Sequence, residues 1–95
     1  MQILEQLYDA LRGLSKITKE DLDRVFDELK SRGEVEDEDR DEFIHAAVEK
    51  LEKAGKKMSE SVHKIVNPNA EKIEALSRKI DDLVEEIGKL KKQKG

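Results

Sequence analysis

Residues 34–42 form the densest acidic stretch of the chain, with seven carboxylates and one Arg. Within it, Asp37, Glu38, Asp39 and Asp41 have the close spacing a calcium loop uses. Such a loop also needs glycine at its sixth position and a bidentate glutamate at its twelfth. Counted from Asp37, those positions hold Glu42 and Val48, and only the apolar Ile44 fits the pattern. The stretch therefore reads as a solvated helix start, where carboxylates complement the positive end of the helix dipole. His45 and His63 are five helical turns apart, about 27 Å along a straight helix. They cannot share one ion within a single straight helix, although a site across an oligomer interface would be open to them. The plain reading is two surface or boundary imidazoles. Ser59 and Ser61 lie near His63 as helical neighbours, without a loop to build an oxyanion hole. The five glycines are scattered, so no phosphate-cradling loop exists, and with no cysteine there is no thiol nucleophile or zinc-thiolate site. The sequence thus predicts no enzyme, no metal and no cofactor.

The elements that carry these residues follow from composition and period. Charged residues make up 44% of the 95 and hydrophobic ones 36%, while the aromatics are limited to Tyr8, Phe26 and Phe43. A small domain this short of aromatic surface is marginal alone and gains by burying its apolar faces against copies of itself or a partner. The net charge of −4 argues against nucleic acid as the main partner. No run approaches the roughly 18 apolar residues of a membrane span, and the start of the chain lacks the pattern of a signal peptide. A cytoplasmic location is the expectation.

Ile3, Leu4, Leu7, Tyr8, Leu11 and Leu14 recur at helical spacing, which predicts a first helix over 2–12 ended by Gly13. That stripe has two readings. It docks on the rest of the chain, or Leu7, Tyr8 and Leu11 bind an apolar surface; docking is favoured. Thr18 is placed to cap a helix over 19–32, with Leu22, Val25, Phe26 and Leu29 as its apolar face. Gly33 supplies the left-handed residue that closes it and begins a hairpin, with Val35 packing back. Phe26, Leu29, Phe43 and Ile44 should form the small hairpin core. Glu36 or Asp37 then caps a long central helix over 37–66, in which Ile44, Val48, Leu51, Gly55, Met58, Val62 and Ile65 keep a weak heptad rhythm. Asn67-Pro68 breaks it, with Asn67 as cap and Pro68 at the first helical position, or as a kink in one continuous helix.

Ile73, Leu76, Ile80, Leu83, Ile87 and Leu90 follow at unbroken steps of three and four. Ile at every a position and Leu at every d position favour two parallel strands, while Val84 at e widens the seam toward a larger bundle. The expectation is a homo-oligomer, dimer to tetramer, held by these six residues. The predicted class is all-α: a short N-terminal helix, a helical hairpin, a long central helix and a C-terminal heptad coiled coil. The predicted division is a helical region over 1–66 and an oligomerisation segment over 67–95. Lys89, Lys91, Lys92 and Lys94 near the end are read as a solvated helix terminus, not a nucleic-acid tail.

The order of these elements, with Ile17-Thr18-Lys19-Glu20 opening one helix and Asp27-Glu28-Leu29-Lys30-Ser31-Arg32-Gly33-Glu34-Val35 closing it before an acid-started helix and a zipper, resembles the phasins. These are the bacterial proteins associated with polyhydroxyalkanoate granules. The resemblance covers essentially the whole chain and is sharpest over 17–35. It implies a non-catalytic structural protein that oligomerises through helices and coats storage inclusions, with the granule surface as partner. The alternative from a different class is a coiled-coil adaptor or regulator that binds another protein or, weakly, nucleic acid.

Overall fold

A computed structural model describes residues 2–55 and 69–94, and among them the chain is helical. Helix α1 spans Gln2–Leu11, α2 Lys19–Ser31, α3 Arg40–Lys53 and α4 Ala70–Lys94, with a single 3-10 turn at Asp37–Asp39 leading into α3.

Local chemistry sets the boundaries. The Thr18 hydroxyl accepts from the Asp21 amide at 3.1 Å, and the Asp21 carboxylate accepts from the Thr18 amide at 3.0 Å. Two donors that α2 would leave unpaired are thus satisfied together. At the other end of α2, Gly33 has φ +77°. This lets the Glu34 amide reach the Leu29 carbonyl at 3.0 Å and the Gly33 amide reach that of Lys30 at 2.9 Å, closing the helix as a Schellman motif. Val35 then folds back and is buried. The Asp39 carboxylate takes the Glu36 amide at 3.0 Å, so the acid run opens the 3-10 turn by capping it.

Two boundaries differ from the sequence reading. The central helix ends at Lys53, because Gly55 takes φ +85° and its amide bonds the Glu52 carbonyl. The heptad rhythm had carried Gly55 as a seam position, whereas its backbone makes it a stop. The part of that expected helix over 56–66, and the break at Asn67-Pro68, lie outside the described residues. Asn69, not Asn67, caps α4: its side-chain oxygen accepts from the Lys72 amide at 3.0 Å.

The helices close a ring. α1 packs on α2 and α4, α3 packs on α2 and α4, and α1 meets α3 across the middle. The cross-links between α2 and the start of α3 run in opposite senses. Lys30 meets Asp37, Arg40 meets Asp27 and Asp23, and the Phe26 ring lies 5.5 Å from that of Phe43. Numbers fall on one strand of that list as they rise on the other, so α2 and α3 are antiparallel. The links to α4 run in the same sense, Asp39 to Lys72 at 3.1 Å and Lys50 to Asp81 at 2.6 Å. α3 and α4 are therefore parallel, and α3 ends about level with Val84. Beyond that point α1 is the cover: Tyr8 lies against Gly88, and Asp9 pairs with Lys91 at 3.0 Å.

One apolar cluster joins all four helices. Phe26, Leu29, Phe43 and Ile44, the expected hairpin core, are buried in it. So are Leu76, Ile80, Leu83 and Ile87. The expected separate coiled-coil segment over 67–95 is thus part of the same core as the N-terminal region. The heptad seam finds its partner stripes on α1 and α3 of its own chain.

Candidate functional site

Among the described residues no polar or charged side chain is fully buried, and no three potential metal ligands converge. The titratable groups sit instead in rim clusters that tie one helix to the next.

The strongest of these centres on Arg40. Its guanidinium lies 4.5 Å from the Phe26 ring centroid and donates to Asp27 at 2.8 Å and Asp23 at 3.2 Å. A planar cation fits a ring face and two carboxylates at once, which an ammonium does not. Asp27, ahead of Asp23, raises the Arg40 pKa above its ordinary value by these bonds. Asp39 is the second hinge point. Partial burial pushes its carboxyl up, but the Glu36 amide and Lys72 together outweigh this and hold it below the ordinary range. Lys72 is raised in turn by Asp39. Of the four acids with calcium-like spacing, Asp37 is lowered by Lys30, and Asp39 binds the Glu36 amide and Lys72.

His45 places Nε2 2.9 Å from the Glu49 carboxylate, while Nδ1 is buried with no hydrogen-bond partner among the described residues. Ser59, Ser61 and His63 lie outside the described residues.

A third cluster caps the contact between α1 and α4. The Arg12 guanidinium donates to the Tyr8 hydroxyl, and Lys91 lies 5.1 Å from the ring centroid while pairing with Asp9. A Cβ on Gly88 would stand 3.3 Å from the Tyr8 ring. The glycine is therefore the seat on which the only tyrosine of the chain rests. Sequence reasoning had no means to find this seat, since Tyr8 and Gly88 are 80 positions apart and neither carries a motif.

The residues named for binding are turned inward. Of the oligomerisation set, Leu76, Ile80, Leu83 and Ile87 are buried within the chain and Ile73 is partly buried. Leu90, 44% exposed, is the member left to solvent. Of the surface-binding set, Leu7 and Tyr8 are buried and Leu11 is partly buried. The docking reading of α1 describes their place, with one correction: Leu14, counted in that stripe, stands 70% exposed beyond Gly13. The physical reason is the turn itself. Once Gly13 ends the helix, the amide of Leu14 is tied to Asp9 and its side chain leaves the helical face.

No family model, curated protein or solved structure matches this chain. No helix among the described residues is long and apolar enough to cross a membrane.

Proposed function

We propose that this chain is a non-catalytic helical protein that sheathes the apolar surface of a storage inclusion, the polyester granule implied by its resemblance to the phasins, and self-associates there. One observation carries the reading. The stripe of α1 and the far half of the α4 seam are each other's cover beyond the end of α3. Releasing α1 uncovers Leu4, Leu7 and Tyr8 on one side and Ile87 on the other, which are buried in the closed chain.

The exchange is energetically close to balanced. Burial of a large apolar side chain contributes about 1.5–3 kcal/mol, whether the dry surface opposite is a protein core or a polymer, because the effect is non-directional. A granule therefore replaces the core that α1 leaves. The same opened seam is what a second copy would engage, so self-association belongs to the opened state.

The test uses a chain free of native cysteine. Glu5 and Glu86, both exposed, are replaced by cysteine and spin-labelled as a pair. Co-sedimentation with polyhydroxyalkanoate granules and with unrelated polystyrene beads is measured beside the distance between labels. The proposal expects selective retention on granules and a separation longer by about 10 Å or more, two helix widths being near 20 Å. Equal retention on both supports, or retention at an unchanged separation, would overturn it.

A further inference from the structure

We infer that the end of the bundle built from the C-termini of α1 and α4 docks onto an anionic lipid surface. Residues 10–19, with Arg12, Lys16 and Lys19, and residues 88–95, with four lysines, are basic and free of acid. The fold brings them together through one residue. Asp9 accepts the Leu14 amide at its carbonyl, 2.8 Å away, and pairs with Lys91 at its carboxylate, 3.0 Å away. The large hydrophobic side chains left exposed among the described residues are Leu14, at 70%, and Leu90, at 44%. One stands in each of these basic stretches, at this same end.

The carboxylates near this end are largely engaged. Asp9 holds Lys91, Glu85 lies 3.5 Å from Lys89, and Asp21 receives the Thr18 amide and the Gln6 side chain. Glu20 at the start of α2 and Glu86 on α4 stand exposed. Arg12, Lys16 and Lys92 are exposed. The acid run lies at the other end, fixed by Asp39 to Lys72. Nineteen residues of helix separate Lys72 from Lys91, about 28 Å. An acidic chain is thus polarised along α4, and an anionic surface would attract one end and repel the other.

Lysines at a helix C-terminus also complement the helix dipole, which accounts for Lys91 and Lys92 without a partner. It does not account for Arg12, which shares the Tyr8 ring with Lys91, or for two leucines left in water in these basic stretches. Leucine flanked by cations suits an interface where the apolar chain enters below the headgroups and the cations remain among the phosphates. A single-stranded nucleic acid would instead call for aromatic stacking platforms, and Tyr8 is buried. The surface needs no opening of the bundle, so it is separate from the granule-sheathing function.

The experiment is vesicle co-sedimentation of the full chain, with phosphatidylcholine alone and with about a third phosphatidylglycerol. Binding to polyuridylate is run in parallel. Two double variants, Leu14→Ser/Leu90→Ser and Lys16→Glu/Lys92→Glu, change only exposed side chains, and circular dichroism confirms their fold. Expected are binding to the anionic vesicles alone, its loss in about 0.5 M salt, where screening reaches within a few ångströms, and about tenfold weaker binding for each double variant. Binding to neither vesicle, equal binding to both, or a leucine variant that binds as well as the parent would overturn the inference. Binding to polyuridylate with none to vesicles would assign the patch to a polyanion instead.

Discussion

Leu83 and Leu90 occupy equivalent d positions one heptad apart, and the fold makes them unequal. Leu83 is 6% exposed and Leu90 44% exposed. Replacing a buried leucine by alanine removes its transfer free energy and leaves a cavity, so Leu83→Ala should cost about 3 kcal/mol. At Leu90 the side chain is half in water and the hole opens to solvent, so the loss should be about 1 kcal/mol or less. A domain of this size shifts its melting temperature by about 4–8 °C for each kcal/mol. Leu83→Ala should therefore melt about 12–24 °C lower, and Leu90→Ala no more than about 8 °C lower. Thermal unfolding followed by circular dichroism, at two protein concentrations tenfold apart, reads both quantities. A bundle closed within one chain melts at the same temperature at both concentrations. A seam shared between chains would make the two substitutions similar in cost and the melting temperature concentration-dependent. That pattern would refute the intramolecular packing argued here.

Three further outcomes are expected. Gly33→Ala meets no atom within 4 Å but must hold φ +77°, so its cost is backbone strain alone, about 1–2 kcal/mol by chemical denaturation. Arg40→Lys keeps the charge facing Asp23 and Asp27 but loses the stack on Phe26, and should destabilise by about 1 kcal/mol relative to the parent at neutral pH. Asp39→Ala should lower the melting temperature at neutral pH. Because the folded state holds the Asp39 carboxyl below its ordinary 3.8, the native advantage is fully present above that value. It fades as pH falls through the depressed pKa, so the gap between parent and variant should close in acid.

Local chemistry was legible in the sequence, and partnership was not. Thr18, Gly13 and Gly33 act within three to five residues of themselves, so their types and positions suffice to place helix ends. The same logic fails at Gly55, because a residue that fits a heptad position by count looks like a small seam residue. Its value as a stop depends on backbone geometry that spacing does not report. The α4 heptad specifies an apolar stripe and a helix but carries nothing that names the helix opposite. Ile80 packs equally dry against Ile80 of another chain or against α1 and α3 of its own. Arg40 reads in sequence as one cation in an acid run, and only the antiparallel placement of α2 shows that Phe26, Asp23 and Asp27 wait for it. Leu14 fits the α1 stripe by period, but Gly13 ends the helix that gives the period meaning.

The contact between Tyr8 and Gly88 also orders events in time. A ribosome makes α1 first and the seat for Tyr8 about 80 residues later, an interval of roughly 4–16 s at ordinary rates of synthesis. The α2–α3 hairpin, whose cross-links span 7 to 17 residues, can form and give α1 a partial shelter during that interval. The face that Tyr8 shows to α4 has no native cover until Gly88 emerges. The nascent chain thus passes through a stage with the same apolar stripe uncovered as in the opened form.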